Sequence, residues 1–108
     1  MFTTAAEYGV LCQLMLNGGE YAGRRYLSPA TVRMMTTNRL DDLPAVPESA
    51  RRTKAWGLGW QMNHPAGIDS LCDLLDTRAY GHIGATGTIV WIDPRTEMFV
   101  VFMSNRLH

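Results

Sequence analysis

Residues 80–94 read YGHIGATGTIVWIDP. Gly81, Gly84 and Gly87, with His82 among them, stand at the mouth of a run of β-branched and aromatic residues. Glycine packs nothing and loses the most backbone entropy on folding, so it weakens a strand. Placed there, it marks a bulge, a bend, or the close approach of a ligand or another backbone. Downstream, residues 88–92 and 98–103 read as two strands, joined by a hairpin connection at 93–97, Asp-Pro-Arg-Thr-Glu. Both runs are apolar on both faces, which places both in the middle of a covered sheet.

Upstream, Trp56-Gly57-Leu58-Gly59-Trp60-Gln61-Met62 alternates strictly. Period 2 predicts a strand with Trp56, Leu58, Trp60 and Met62 on its bulky face. Its glycine face admits another backbone or a ligand, or simply packs flat against a helix. Residues 64–79 are hard to read, although Ile68, Leu71, Leu74 and Leu75 fit one short helix. Residues 41–55 carry two prolines, mixed charge and no period, and read as a surface loop.

The first 40 residues predict two helices. Thr4 and Glu7 form a capping-box pattern. Tyr8, Leu11, Cys12, Met15 and Leu16 follow at helical spacing, and Val10 and Leu14 widen the apolar surface. Asn17-Gly18-Gly19 ends this helix, and residues 21–26 read as a short exposed connection. Ser28-Pro29 opens the second helix, with a Leu27–Val32 staple and a weak stop at Thr36-Thr37-Asn38. The order helix, helix, strand, strand, strand predicts an α+β fold, helices packed on an antiparallel sheet. Two modest helices are few for covering such a sheet, so the chain reads like part of a larger domain.

A length of 108 residues allows one small core, and 46 % hydrophobic content is that of a globular chain. A formal net charge of zero gives no electrostatic case for nucleic acid or an anionic membrane as partner. No apolar run approaches the ~20 residues of a membrane span. Met1 leads straight into a capped amphipathic helix, which does not read as a signal peptide. Cys12 and Cys72 form neither a disulfide framework nor a metal pair. They read as buried thiols and assign no compartment.

The residue inventory narrows the chemistry. The serines are Ser28, Ser49, Ser70 and Ser104, and the only lysine is Lys54. None of these serines sits in Gly-x-Ser-x-Gly or Ser-x-x-Lys, so no nucleophile motif of either kind is present. Ser28 is better used as a helix cap than in a Tyr-x-Ser motif, and Cys12 lies mid-helix on an apolar face. His64, His82 and His108 lack metal-ligand spacing, so no metal site is expected. The glycine-rich stretch is followed by a strand rather than the helix a phosphate loop requires. Asp41 and Asp42 read as solvated loop charge. What remains is His82-Ile83-Gly84. Gly84 there permits a substrate to pass along the strand edge, and the next N–H, that of Ala85, is then able to face a developing oxyanion. The same residues also fit a glycine bulge at a sheet edge, with His82 on the surface.

Several stretches, in order, resemble the second half of the serine β-lactamase-like family, which includes class C β-lactamases, penicillin-binding-protein-like peptidases and related esterases. These are residues 3–8 (TTAAEY), 15–19 (MLNGG), 27–32 (LSPATV), 35–38 (MTTN), 56–60 (WGLGW), 81–88 (GHIGATGT), 91–94 (WIDP) and 104–106 (SNR). The resemblance implies a partial β-lactamase/transpeptidase-like fold and acyl-transfer chemistry that needs no cofactor. It places His82-Ile83-Gly84 at the family's third motif, Lys-Thr-Gly or His-x-Gly. Ala85 then supplies one oxyanion-hole N–H, and His82 faces a catalytic tyrosine or the substrate's polar tail. Ile83, Thr86 and Asn105 become substrate-binding residues.

The family's Ser-x-x-Lys and Tyr-x-Asn motifs precede the region resembled, and a closing helix follows it. The resemblance therefore implies that residues 1–108 are a single carboxy-terminal piece, inactive alone, whose intact protein takes a small-molecule or peptide substrate. A histidine side chain is mostly neutral at pH 7, unlike lysine, which tilts the intact enzyme toward esters or D-amino-acid peptides over β-lactams. Two other readings stand beside it. One is a ligand-binding relative that has lost catalysis. The other is a module that self-associates through exposed sheet surface.

Overall fold

The computed structural model describes residues 3–64 and 74–106. Helix α1 (Ala5–Leu16) starts where its capping chemistry says it must. Thr4 Oγ1 accepts from the Glu7 N–H at 3.2 Å, and the Glu7 carboxylate accepts from the Thr4 N–H at 2.8 Å. Two of the orphan donors at the helix start are satisfied reciprocally. Gly18 and Gly19, at φ +66° and +98°, turn the chain out of the helix. The buried stripe is narrower than the spacing suggests. Cys12 and Met15 are buried, whereas Val10 and Leu11 face solvent.

The short connection at 21–26 is instead a two-stranded hairpin, β1 (Glu20–Tyr21) with β2 (Arg24–Arg25). Its corner residues Ala22 and Gly23 both have positive φ, the geometry that suits a tight hairpin. Alanine rarely takes that conformation, so the sequence hid the turn. Helix α2 (Pro29–Met35) follows, with Ser28 Oγ accepting from the Thr31 N–H at 3.0 Å and Val32 buried. Most of the region 41–55 lies on the surface as expected, but Ala55 is buried in the core, and the region is not wholly irregular. It holds a 3-10 turn at Leu40–Asp42 and the one-turn helix α3 (Glu48–Arg51), neither with a buried residue.

The strand expected over 56–62 is corrected to the two-residue β3 (Gln61–Met62). Residues 56–60 fold into a turn, with the Gly57 N–H donating to the Trp60 carbonyl at 2.8 Å and Gly59 at φ +79°. Gly57 permits a close approach of backbone: a Cβ there would collide with the Met35 carbonyl at the end of α2. The alternation of bulky residues and glycines mimicked period 2 for reasons unrelated to a strand.

Strand β4 (Tyr80–Ile83) is a further correction, because the glycine-rich stretch was read as the mouth of a strand and is a strand itself. Strands β5 (Ile89–Asp93) and β6 (Met98–Phe102) lie within one residue of expectation. The main sheet is antiparallel, ordered β3-β4-β5-β6. The β5–β6 connection is held by Asp93, whose carboxylate accepts from the Arg95 N–H and the Thr96 hydroxyl, both at 2.9 Å.

Met62, Tyr80, Val90 and Ile92 join Cys12, Met15, Val32 and Trp60 in one core, with Phe99 and Val101 packed against it. Helix α1 covers this face of the sheet at β6. The expectation that β6 is covered on both faces fails. Met98, Val100 and Phe102 are 63 %, 56 % and 57 % exposed on its outer side. Of the short helix read in 64–79, Ile68 and Leu71 fall outside the described residues, and Leu74 is an exposed turn residue. Cys12 is buried as expected, while Cys72 lies outside the described residues. The architecture is the α+β arrangement of helices on an antiparallel sheet. No helix among the described residues is long and apolar enough to cross a membrane.

Candidate active site

Two of the three glycines, Gly81 and Gly87, have separate structural reasons. Gly81 pairs with Trp91 across β4 and β5, and a Cβ on it would collide with the Trp91 ring and the Val90 carbonyl. Gly84 and Gly87 bracket the turn from β4 to β5. The Gly84 N–H donates to the Thr88 carbonyl at 2.7 Å, and the Gly87 N–H donates back to the Gly84 carbonyl at 3.0 Å. Gly87 takes φ +74°, which closes the turn. The structural reading of this stretch is thus a hairpin turn rather than a bulge inside one strand.

Ala85 and Thr86 form the exposed tip of that turn. Among the described residues nothing accepts a hydrogen bond from the Ala85 N–H. The hairpin therefore presents, two residues beyond Ile83, an amide donor with no acceptor among the described residues, at a turn closed by the Gly87–Gly84 hydrogen bond. Such a donor stabilises an oxyanion because it costs no reorganisation when charge develops.

His82 is exposed on β4, on the same side of the sheet as Tyr80. Its Nδ1 lies 2.8 Å from the Ile83 carbonyl oxygen. The Trp56 ring meets it edge to face, with centroids 5.4 Å apart and planes at 75°. Ile83 is half-buried on the opposite side, paired with Ile89, so it does not share a face with His82.

Thr86 and Asn105 come together at one open groove of about 670 Å³, shared with Thr3, Tyr8, Thr88, Met103 and Ser104. Thr88 ties the wall of this groove: its hydroxyl donates to the Ser104 carbonyl at 3.3 Å and accepts from the Ser104 N–H at 3.4 Å. Burial, with a smaller effect of Cys12, pushes the Tyr8 hydroxyl above its ordinary value, so it stays protonated beside the groove. His82, Gly84 and Ala85 do not line this groove. The expected site thus divides into the His82–Ala85 segment and a Thr86–Asn105 groove beside it.

Sequence reasoning missed Trp56 as the neighbour of His82. Its backbone is fixed by Asn38, whose side-chain carbonyl accepts from the Trp56 N–H at 3.1 Å, and by the Arg39 N–H, which donates to the Trp56 carbonyl at 2.7 Å. A residue read as part of a strand gave no hint of that placement. No group of three or more histidine, cysteine or acidic residues able to hold a metal ion occurs among the described residues.

Comparison with known proteins identifies the family. The family model described as Beta-lactamase matches residues 1–108. A protein of Escherichia coli O157:H7 named "Putative D-alanyl-D-alanine carboxypeptidase" is 36 % identical over 109 residues, covering 100 % of this chain and 23 % of that protein. Proteins of the same name from Escherichia coli K12 and Salmonella enteritidis are each 35 % identical over the same extent. A crystal structure of a penicillin-binding protein homolog from Caulobacter crescentus superposes with a TM-score of 0.64 at 26 % identity, covering 90 % of this chain and 24 % of that one. The chain thus spans about a quarter of the length of the relatives it matches. It belongs to the serine β-lactamase-like family.

Proposed function

We propose that residues 1–108 are the carboxy-terminal part of a serine hydrolase that works through an acyl-enzyme, and that they supply its third active-site motif. Ala85 N–H forms one half of the oxyanion hole. Gly84 leaves the strand edge open to substrate, and His82 meets a polar group of the substrate or of the catalytic machinery. The nucleophile and its base come from outside these residues. The substrate is an ester or a peptide ending in a D-amino acid, in keeping with the carboxypeptidase names of the relatives. The observation that carries this reading is the unused Ala85 N–H held at the turn directly after His82-Ile83-Gly84. The test is ester hydrolysis by the full-length protein with Gly84→Val. The branched side chain obstructs the edge and lowers kcat/KM at least about tenfold, a barrier increase of ~1.4 kcal/mol. Unchanged hydrolysis removes this segment from the site.

A second reading is favoured by β6. It is an edge strand with three exposed apolar side chains and no charged residue between Met98 and Phe102 to guard it. We infer that two copies of the 108-residue chain pair through this strand. An antiparallel edge is self-complementary about a twofold axis. Sedimentation of the chain and of Val100→Lys decides: a dimer lost in the variant supports pairing, and a monomeric unaltered chain rejects it.

A further inference from the structure

We infer that Trp56 is a positioning residue for His82, and that together they hold the imidazole with its proton on Nδ1 and leave Nε2 as an open hydrogen-bond acceptor. The argument starts from the Ile83 carbonyl. A carbonyl oxygen only accepts, so the ring nitrogen 2.8 Å from it, Nδ1, has to carry hydrogen. In the neutral imidazole the other nitrogen then has the lone pair. Among the described residues nothing bonds to Nε2.

A hydrogen bond to the adjacent residue's carbonyl does not by itself hold an exposed ring. His82 rotates freely about two bonds unless something packs against it. Trp56 supplies that packing through the edge-to-face contact at 5.4 Å. The Trp56 backbone is in turn held by the segment after α2: Asn38 accepts from its N–H and Arg39 donates to its carbonyl. A path of direct contacts thus runs from Asn38 and Arg39 through Trp56 to the imidazole.

The chemical consequence is specific. A neutral imidazole presenting Nε2 as acceptor meets a proton donor, such as a hydroxyl or an amide N–H, and repels a carboxylate lone pair. This last step rests on the reading of the site proposed above, whereas the tautomer and the role of Trp56 do not.

The test is a long-range ¹H–¹⁵N spectrum of the histidine rings in the ¹⁵N-labelled chain, recorded where the rings are neutral, with His82 assigned by its loss in His82→Asn. The expected result is the Nδ1–H pattern for His82, with its ring protons shifted by the Trp56 indole. Trp56→Phe keeps the pattern, and Trp56→Leu relaxes it to a mixture of tautomers. A predominant Nε2–H form in the unaltered chain overturns the inference, as does an Nδ1–H pattern that survives Trp56→Leu. Should Trp56→Leu fail to fold, the indole-induced shift in the unaltered chain decides: its presence supports the positioning role and its absence rejects it. In the full-length protein, His82→Lys, which only donates, lowers ester hydrolysis at least about tenfold, whereas His82→Gln, whose amide oxygen accepts, retains more. Equal losses reject the acceptor role. An unaltered full-length protein that hydrolyses no ester rejects the proposed function and leaves the tautomer standing.

Discussion

The Trp91 indole lies across Gly81, its register partner on the neighbouring strand, in space that any side chain at 81 would need. The indole N–H is buried with no partner among the described residues, so packing alone holds the ring there. Gly81→Ala is therefore an overpacking substitution, expected to destabilise by about 1–3 kcal/mol. At Gly84 a Cβ finds Thr88 at an ordinary 3.5 Å, so Gly84→Ala stays within about 0.5 kcal/mol of the unaltered chain. Gly87→Ala is strained by its positive φ and costs roughly 1–2 kcal/mol. Denaturant unfolding of the three variants checks the order. A Gly84→Ala loss equal to that of Gly81→Ala would show that the turn is packed differently.

Thr4 joins the two halves of the capping box at the start of α1. Thr4→Ala removes the side-chain acceptor for the Glu7 N–H, and the expected cost is about 0.5–2 kcal/mol. Thr4→Ser keeps the acceptor and stays close to the unaltered chain. Thermal unfolding of both variants measures the difference.

The pH profile has a distinct cause at each end. Burial pushes the Cys12 thiol from 9.0 to about 11 and the Tyr80 hydroxyl from 10.0 to about 12. In the unfolded chain both groups ionise at their ordinary values. Their contribution to stability is thus fully present below about pH 9 and is lost as pH rises through the folded values. On the acid side, the Arg78 side chain and N–H, with help from Arg95, hold the Asp76 carboxyl well below the usual carboxylate range. That contribution is present above the ordinary aspartate value near pH 4 and is lost as pH falls below it. Melting temperature is expected to drop at both extremes. Tyr80→Phe flattens the alkaline limb and Asp76→Asn flattens the acid limb. An alkaline limb unchanged in Tyr80→Phe assigns that loss to other groups.

What the sequence reveals follows how local each signal is. Thr4 with Glu7 and Ser28 with Pro29 start helices through contacts within one turn, so both helix starts are legible. The same holds for Asp93, which builds its own turn. Residues 22 and 57–59 are not legible because the cause lies elsewhere: Ala22 adopts a conformation usually left to glycine, and Gly57 is small for the Met35 carbonyl. Strand β4 is hidden because Gly81, which makes room for the Trp91 ring, and Gly84 and Gly87, which bracket the following turn, look like disruption in one dimension. At the candidate site, His82, Gly84 and Ala85 lie within four residues of one another, so the residues themselves single out the segment before the family resemblance gives it a role. Trp56 is not legible in this way, since its place beside His82 is set by Asn38 and Arg39 after an intervening helix. The groove shared by Thr86 and Asn105 was likewise invisible until β5 and β6 brought their ends together.

In the function proposed for this chain, the Ala85 N–H stabilises an oxyanion during acylation of a serine outside residues 1–108. Ala85→Pro isolates that N–H. Position 85 is the first corner of the Gly84–Gly87 turn, a position that favours proline, and no acceptor among the described residues is lost. The decisive measurement is the rate of covalent acyl-adduct formation by the full-length protein with an activated ester, followed by mass spectrometry. The account predicts an adduct on a serine outside residues 1–108, forming about 10²–10³-fold more slowly in Ala85→Pro. An adduct within residues 1–108, or an unchanged acylation rate in the proline variant, would contradict it.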